Sequence, residues 1–337
     1  MEDKERCTLG IIGAGNILDS HLRALEQLPR IDVTAVCDTH VERRKQIAAQ
    51  LNIRSYADYR DLLAEPPDAV LVALPHGLHC AVTVDALRAG CHVLVEKPMA
   101  VDMEECRQML SAAEMCGRQL LVAESASSLP GPVRTGEKFA RGDLGEFFTG
   151  GIVNERFYFH EGRPAWFLDP VMSGGGMFAN VGLHRLAVTH ACLPNLTPIS
   201  VSGSVSHQPE WQVEACTTAL VRYAEGGSVF YEEVGYFPRP EWLNAGTHYI
   251  FAEGIVTWDD RRWRMMSRSG AEYEEDLPPN PGYLPIYENL LKAMCGQDYT
   301  SRARECAADT AIVQAAYASA RAGREIDLRS PEWCIEP

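Results

Sequence analysis

The fold of the first part of this chain is decided by residues 91–98, Cys91-His92-Val93-Leu94-Val95-Glu96-Lys97-Pro98. The short apolar run predicts a buried strand, because uninterrupted apolar strands are typical of parallel sheets covered on both faces. Pro98 ends the strand, since proline has no N–H to donate to a sheet. Ligands of open α/β sheets bind at the carboxyl ends of the strands. We therefore expect the ammonium group of Lys97 at a ligand-binding edge.

A second strand, predicted over Thr8–Ile12, ends in the turn Gly13-Ala14-Gly15, and a helix is predicted to follow. Between a strand and a helix, two such glycines allow a tight turn and bring backbone N–H groups to a pyrophosphate. Leu18 stands where the usual fingerprint has a third glycine or alanine, which predicts a wider helix–strand gap or a shifted phosphate. We interpret the turn as the pyrophosphate site of a dinucleotide.

Asp38 ends the next predicted strand and lies twenty-three residues after Gly15. A carboxylate at this place accepts hydrogen bonds from the adenosine ribose and repels a 2′-phosphate, so the sequence predicts NAD as the cofactor. Arg43 and Arg44 leave NADP open as the alternative, because a guanidinium near the ribose stacks on adenine or accommodates a 2′-phosphate.

Strands and helices alternate regularly through the first part of the chain. The predicted strands are Thr8–Ile12, Asp32–Cys37, Ala69–Leu74, His92–Glu96 and Gln119–Ala123, and the predicted helices are Ile17–Leu28, Val41–Leu51, Cys80–Ala89 and Met103–Cys116. This order predicts a doubly wound parallel sheet of the Rossmann type. We therefore predict a dinucleotide-binding domain over residues 1–124.

Beyond Ser125, one predicted helix is followed by mostly strand-like segments with turn signals between them. The helix is predicted over Pro132–Ala140, and the strands over Val201–His207, Thr217–Tyr223, Ser228–Tyr236 and Tyr249–Ala252. Tight turns between consecutive strands predict a large open sheet, mainly antiparallel. Two helices, Tyr283–Cys295 and Arg302–Arg321, are predicted near the end. We therefore predict a second α/β domain over residues 125–337.

Composition excludes several classes of partner. The 337 residues are 46% hydrophobic and carry a formal net charge of −15, which is unfavourable for binding a phosphate backbone or an anionic membrane. We predict no nucleic acid and no membrane partner. No apolar run is long enough to span a bilayer, and the first residues lack the apolar core of a signal peptide, so we expect a cytoplasmic protein. His76 and His79 have no third ligand at a recognisable spacing, so no metal site is predicted.

Taken together, the motifs resemble the glucose–fructose oxidoreductase and inositol dehydrogenase family, often called Gfo/Idh/MocA. The resemblance rests on the Gly13-x-Gly15 turn, Asp38, Pro75-x-x-x-His79, Glu96-Lys97-Pro98, Gly142-Asp143-Leu144-Gly145, Trp166, Asp169, Ser173-Gly174-Gly175-Gly176 and Gly182-x-His184. It implies that the second domain binds substrate and that its open sheet forms a homodimer or homotetramer.

The resemblance also implies the cofactor site. The residues that it assigns to NAD are Gly13, Gly15, Asn16, Ile17, Asp38, Arg43, Leu74, Pro75, His79, Glu96 and Lys97. Lys97 would lie next to the nicotinamide and the reacting hydroxyl, and the Lys97–Pro98 peptide bond would be cis. A partly desolvated lysine beside a positively charged nicotinamide has its pKa lowered toward a range useful for proton transfer. Glu96 would support Lys97 through a hydrogen bond or ion pair, or else have a structural role.

The second domain departs from the family at one catalytic position. The family pattern is Asp-x-Gly-x-His, and this chain has Asn180-Val181-Gly182-Leu183-His184. His184 is the expected acid or base, with a satisfied core histidine as the alternative. Asn180 lies one helical turn earlier and can orient a hydroxyl or an imidazole, but it holds no charge. We therefore expect Lys97, His184 and Asn180 as the catalytic residues, with a weaker base pair than in inositol dehydrogenases.

The substrate is predicted to be a small sugar or polyol. The residues expected to bind it are Lys97, Trp166, Asn180, His184, Tyr158 and Arg163. By resemblance, Trp166 lies near the mouth of the active site and stacks on a sugar ring, although packing in the core or at a subunit interface is the alternative for any aromatic residue or arginine here.

The leading hypothesis is an NAD-dependent oxidoreductase that transfers a hydride to or from a secondary hydroxyl carbon of a sugar, glycoside or cyclitol. One alternative is an NAD-dependent glycosidase or lyase that works by transient oxidation and elimination. Another is a non-catalytic dinucleotide-binding regulator, which the absence of the family aspartate at position 180 leaves open.

Overall fold

A computed structural model describes residues 6–236 and 246–335 of the chain. The chain divides into two compact units. The first unit comprises residues 1–125 and 282–307, and the second comprises residues 126–281 and 308–337. Each unit is therefore assembled from two separate stretches of sequence.

The first unit is built on a six-stranded parallel sheet. Its strands are β1 (Cys7–Ile12), β2 (Ile31–Cys37), β3 (Arg54–Tyr56), β4 (Ala69–Val72), β5 (His92–Glu96) and β6 (Leu120–Ala123), and its connecting helices are α1 (Leu18–Leu25), α2 (Val41–Leu51), α3 (Tyr59–Leu63), α4 (His79–Arg88) and α5 (Met103–Cys116). The strand order is β3-β2-β1-β4-β5-β6, so the order reverses between β1 and β4. The predicted Rossmann sheet is confirmed.

Burial explains which of these strands could be predicted from the sequence. Every residue of β4 is fully buried, as are Val93, Leu94 and Val95 of β5, because the sheet is covered on both faces. The strand β3 was not predicted, since its sequence Arg54-Ser55-Tyr56 is polar and it lies at the edge of the sheet. The helix α3 was missed as well, because five residues are too few to show a helical period.

The second unit contains a nine-stranded sheet in its described residues. Its strands are β7 (Phe147–Glu155), β8 (Pro198–Ser206), β9 (Cys216–Tyr223), β10 (Ser228–Val234), β11 (Thr247–Phe251), β12 (Gly254–Trp258), β13 (Arg262–Ser267), β14 (Glu272–Asp276) and β15 (Ile326–Asp327), and its first helices are α6 (Pro130–Ala140), α7 (Pro170–Ser173) and α8 (Leu183–Cys192). Neighbouring strands are antiparallel except for β7 and β10. The predicted mainly antiparallel sheet is confirmed.

One face of this second sheet carries the core of the unit, and the other is open. Buried and exposed side chains alternate along the strands, as in Phe147 and Phe148 of β7 and in Val229 and Phe230 of β10. The open face carries four large apolar side chains that are at least one-third exposed, Phe148, Phe230, Ile255 and Met266. Alternation of this kind is expected where a sheet packs on helices with only one face.

The unit to which two helices near the end of the chain belong differs from the predicted domain division. They are α9 (Leu284–Met294) and α10 (Thr300–Ala322), and α9 and the start of α10 belong to the first unit. The apolar face of α9, with Ile286, Tyr287 and Leu290, packs into the core of the parallel sheet and contacts α1. The sequence prediction had assigned all of residues 125–337 to the second domain. An apolar helix face does not indicate which of two cores it joins.

Within the described residues, no helix combines the length and the apolar composition needed to cross a membrane. The same residues hold no group of three or more histidine, cysteine, aspartate or glutamate side chains arranged to bind a metal ion.

Candidate active site

The glycine-rich turn of the first unit lies at the carboxyl end of β1. Gly13 has a φ of 103°, and a Cβ there would stand 2.1 Å from the carbonyl oxygen of Ala73, so only glycine fits. A Cβ at Gly15 would have no protein atom within 4 Å, which leaves the backbone open on that side of the turn. Leu18, at the third position of the fingerprint, is fully buried in the core. The turn can therefore present N–H groups to a phosphate while Leu18 anchors the helix.

Asp38 fastens this turn to the end of β2. Its Oδ2 accepts a hydrogen bond from the N–H of Ala14 at 2.7 Å, and its Oδ1 accepts one from the N–H of His40 at 2.7 Å. A carboxylate oxygen has more than one lone pair, so each oxygen still has capacity to accept a ribose hydroxyl. The carboxylate thus shapes the turn and retains the capacity to accept hydrogen bonds from a cofactor.

Arg43 is held on the other side of the same turn. Its Nε donates to the carbonyl of Ala14 at 2.9 Å, and its Nη2 lies 2.7 Å from Oδ1 of Asp19. The carboxylate of Asp19 already neutralises the guanidinium that would otherwise attract a 2′-phosphate. This pairing favours NAD, in agreement with Asp38.

Leu74, Pro75 and His79 lie at the neighbouring strand end, after β4. His79 is completely buried, and its Nδ1 and Nε2 lie 2.8 Å from the carbonyl oxygen of Pro98 and 2.9 Å from that of Leu74. Burial lowers the pKa of His79, with backbone hydrogen bonds opposing the shift. His79 therefore ties the turn after β4 to the segment after Lys97, which is a structural role near the predicted cofactor site.

Replacing Asp38 with Asn tests the cofactor preference. We expect wild-type protein to bind NAD more tightly than NADP. In the variant, the ratio of the two affinities should be roughly tenfold smaller, because a hydrogen bond to a charged group is worth about 1.5–3 kcal/mol. Isothermal calorimetry with each dinucleotide measures both affinities. Asp32→Asn, at the opposite end of the same strand, is the matched control and should leave both affinities unchanged. Equal affinity of the wild type for NADP and NAD would contradict the assignment.

Lys97 directly follows β5, two strands from the glycine turn in the order β1-β4-β5. Neighbouring strands lie about 4.8 Å apart, so the two strand ends are separated by roughly 10 Å along the ligand-binding edge. Lys97 is half-buried, and the Lys97–Pro98 peptide bond is cis, which confirms the expectation from the family resemblance.

Glu96 points into the unit and is 6% exposed. Its Oε2 accepts a hydrogen bond from the backbone N–H of Lys97 at 3.1 Å, and its Oε1 lies 2.9 Å from Nε2 of the fully buried His21. Tyr283 donates to the same carboxylate. Burial raises the pKa of Glu96, but the hydrogen bond and charge of His21, the charge of Lys97 and the hydrogen bond of Tyr283 together lower it below its ordinary value.

Sequence reasoning did not single out His21 and Tyr283. His21 shares the buried face of α1 with Leu18, Leu22 and Leu25, so a histidine on an apolar helix face was the available signal. Tyr283 immediately precedes α9, and nothing in its sequence neighbourhood indicates that it reaches β5.

In the second unit, Asn180 lies in a π-helical turn, Phe178–Gly182, that leads directly into α8. Asn180 is completely buried, and its Nδ2 donates to the carbonyl oxygens of Gly176 at 2.9 Å and Gly175 at 3.3 Å. Because carbonyl oxygens only accept, the amide nitrogen must face them. His184 lies in the first turn of α8 and is half-buried.

A buried carboxylate holds the start of this helical segment. Glu214 accepts hydrogen bonds from the N–H groups of Gly176 and Phe178 and, at 2.6 Å, from the hydroxyl of Tyr317. A Cβ at Gly176 would stand 1.9 Å from the carbonyl oxygen of Glu214, which explains the glycine. Burial raises the pKa of Glu214 despite these donors. Glu214 was not predicted as important, although a lone acid beside Val213 and Ala215 was a visible signal.

Tyr158, Arg163 and Trp166 come together with other aromatic residues of the second unit. The guanidinium carbon of Arg163 lies 3.7 Å from the ring centre of Tyr158 and 4.9 Å from that of Phe167, and its Nε donates to the carbonyl of Tyr158. Tyr158 is 6% exposed, whereas Trp166 is half-buried and stacks on Phe167 with ring centres 3.8 Å apart. Packing thus engages all three residues, and Arg163 and Trp166 are more accessible than Tyr158.

The residues of the first unit fit a dinucleotide. The space beside Gly15 admits a pyrophosphate at the start of α1, and Asp38 stands where the adenosine ribose is bound in such sheets. The pairing of Arg43 with Asp19 is unfavourable for an additional phosphate.

Comparisons with known proteins agree with this geometry. Residues 7–124 match the family profile described as "Oxidoreductase family, NAD-binding Rossmann fold", and residues 134–237 match "GFO/IDH/MocA C-terminal domain". The chain is 31% identical over 244 residues to D-glucoside 3-dehydrogenase of Escherichia coli (strain K12), covering 66% of this chain and 69% of that protein. It is 24% identical over 347 aligned residues to D-apiose dehydrogenase of Paraburkholderia graminis, covering 96% of this chain and 90% of that protein.

The structure of a levoglucosan dehydrogenase in complex with NADH and levoglucosan has the same fold. It superposes with a TM-score of 0.84 at 16% sequence identity and covers 96% of this chain and 100% of that chain. The two family profiles and the match to D-glucoside 3-dehydrogenase establish that the chain belongs to the Gfo/Idh/MocA family of NAD-binding oxidoreductases.

Proposed function

We propose that this protein oxidises a secondary hydroxyl carbon of a sugar, glycoside or cyclitol, with NAD as the hydride acceptor. The observation that carries the proposal is the position of Lys97, half-buried at the ligand-binding edge of the parallel sheet and two strands from the glycine turn. Two dehydrogenases among the relatives act on small carbohydrates, as the names D-glucoside 3-dehydrogenase and D-apiose dehydrogenase state.

Oxidation of a secondary alcohol removes a hydride from carbon and a proton from oxygen, and a ketone results. When bound, NAD supplies the acceptor for the hydride. In the proposal, the amine of Lys97 accepts the hydroxyl proton, a role for which a lysine needs a pKa near the working pH. The backbone N–H of Lys97 donates a hydrogen bond to the carboxylate of Glu96, and this bond fixes the position of the Lys97 backbone from which the side chain extends.

For the second unit, the proposal assigns substrate contact to Trp166 and His184. Both are half-buried, and a tryptophan ring suits the apolar face of a sugar. Asn180 is proposed as a positioning residue rather than a catalytic one, because its amide is bonded to the carbonyls of Gly175 and Gly176. Glu214 and Tyr317 support the same segment. A homodimer or homotetramer through the open sheet face remains part of the proposal, supported by the exposed apolar side chains of that face.

A screen of carbohydrates tests the proposed function. We expect NADH to accumulate, measured by its absorbance, when the protein and NAD are mixed with at least one compound from a panel of methyl glucosides, D-apiose, levoglucosan and inositols. Release of an aglycone without accumulation of NADH would instead support the glycosidase or lyase mechanism. Tight binding of NAD with no reaction across a broad panel of carbohydrates would support the regulator.

A further inference from the structure

We propose that His21, Tyr283 and Tyr287 are positioning residues that hold Glu96 as a carboxylate and thereby set the charge of Lys97. The catalytic meaning of this network rests on the proposed function, since it requires Lys97 to exchange the substrate proton. The network itself is a property of the first unit and can be measured without any substrate.

The network is a continuous chain of short hydrogen bonds. The Oη of Tyr287 lies 2.9 Å from Nδ1 of His21, and Nε2 of His21 lies 2.9 Å from Oε1 of Glu96. The remaining oxygen, Oε2, accepts the backbone N–H of Lys97. Tyr287 and His21 are fully buried, so no bulk water can replace either partner. The chain leads from the core of the unit to the residue proposed to carry out proton transfer.

The direction of the central hydrogen bond follows from the chemistry of its two groups. An ionised carboxylate only accepts, so Nε2 of His21 carries the proton that faces Glu96. Burial and, after it, the charge of Glu96 raise the pKa of Tyr287, so its hydroxyl stays protonated. This hydroxyl bonds Nδ1, the other ring nitrogen, and thereby holds the ring of His21 with Nε2 toward Glu96.

Tyr283 strengthens the same arrangement from the side. Its ring lies 4.2 Å from the ring centre of His21, and its hydroxyl donates to Glu96. Other titratable groups also face this cluster. Glu124 interacts electrostatically with Tyr283. Glu96 interacts electrostatically with both Lys97 and His79. Of these, His79 is bonded to two carbonyl oxygens and belongs to the turn after β4.

The consequence for Lys97 is electrostatic. A buried carboxyl without donors becomes neutral, because burial disfavours the charged form. With its donors present, Glu96 remains anionic next to Lys97, and an adjacent anion favours the ammonium form of a lysine. Weakening the network should therefore lower the pKa of Lys97. If the network only held α9 against the sheet, its disruption would change stability and leave the charge of Lys97 unaltered.

The protein is well suited to a direct titration of this lysine. The sequence has five lysines, Lys4, Lys45, Lys97, Lys138 and Lys292. Reductive methylation with carbon-13-labelled formaldehyde gives each lysine its own NMR signal, whose shift follows the charge on the nitrogen. Lys97→Arg removes one signal and so identifies it. Titration of the signals then gives the pKa of Lys97 in each variant without turnover.

We expect Glu96→Gln to lower the pKa of Lys97 by about one unit, the lower end of the effect of a neighbouring opposite charge. Tyr287→Phe should lower it by a smaller amount, roughly half a unit, because the carboxylate remains but His21 no longer has a hydrogen-bond partner at Nδ1. Tyr299→Phe is the matched control. It removes the partly buried hydrogen bond that the tyrosine hydroxyl donates to Asn289 within residues 282–307 of the first unit, and it should leave the pKa of Lys97 unchanged.

A cooperative thermal unfolding transition shows in each variant that the protein is folded. An unchanged pKa of Lys97 in both Glu96→Gln and Tyr287→Phe, with folding retained, would overturn the proposal. An equal shift in Tyr299→Phe would overturn it as well, since a general loosening of α9 would then explain the effect. Because the titration needs no turnover, its outcome is independent of whether the carbohydrate screen finds a substrate.

Discussion

Lys97→Ala is expected to lower turnover by roughly 10²–10⁴-fold, the range typical of the removal of a general acid or base. The substitution should be mild for the fold, because the side chain leaves a strand end and is half-buried, while the backbone N–H of residue 97 still donates to Glu96. The measurement is kcat and KM on whichever compound of the panel the wild type oxidises, together with the affinity for NAD by calorimetry.

The control for this prediction is Lys292→Ala, which removes an exposed lysine from α9 in the same unit. It should leave both turnover and NAD affinity unchanged. Turnover of Lys97→Ala within about twofold of wild type would show that Lys97 is not the group that exchanges the proton.

Asn180→Asp is expected to destabilise the second unit by roughly 3 kcal/mol at neutral pH, the lower end for an uncompensated buried charge. The amide nitrogen of Asn180 donates to the carbonyl oxygens of Gly175 and Gly176 in a completely buried place. A carboxylate there cannot donate and is repelled by both carbonyls. The variant therefore does not restore the family's acid–base pair, and turnover should fall rather than rise.

The destabilisation should depend on pH in a defined direction. Burial and the two carbonyls raise the folded-state pKa of an aspartate at position 180 above its unfolded value of about 3.9. The penalty is therefore fully present at neutral pH and disappears as the pH falls below the unfolded pKa. Thermal unfolding of variant and wild type between pH 7 and pH 4 measures this. The difference in unfolding temperature should shrink at the acidic end.

Asn289→Asp is the matched control for the same substitution. The amide oxygen of Asn289 accepts a hydrogen bond from Tyr299, and a carboxylate can accept it as well. This variant should show little destabilisation. If Asn180→Asp instead unfolded at the wild-type temperature and raised turnover, the carboxylate would be part of the chemistry, and the positioning role of Asn180 would be wrong.

The sequence was sufficient for those parts of the fold in which local pattern and burial agree. The helices α2 and α5 and the strand β5 begin and end where they were predicted, because apolar runs, capping residues and glycines mark their limits. The strands β12, β13 and β14 were not predicted. Of these, Glu272–Asp276 of β14 is polar and lies at the edge of the second sheet. The two-residue strand Ile326–Asp327 was not predicted either.

For the candidate site, sequence motifs identified the residues whose positions depend on neighbours in the sequence. Gly13, Asp38 and Lys97 each end a strand, so their common edge follows from the order of elements. The partners of His21, Tyr287 and Glu214 lie 36 or more residues away in sequence. Contacts between residues so far apart produce no pattern in the local sequence. The resemblance also could not indicate what Asn180 does in this chain, because an amide in place of a carboxylate reverses which atoms it can face.

The central claim is net oxidation of a carbohydrate by NAD, and isotope transfer tests it most directly. A substrate found in the screen is prepared with deuterium on the carbon that becomes the carbonyl, and the products are analysed by mass spectrometry. We predict one deuterated NADH for each ketone formed, with the ketone carrying no deuterium at that carbon. Consumption of substrate with an aglycone released and no accumulation of deuterated NADH would contradict the account.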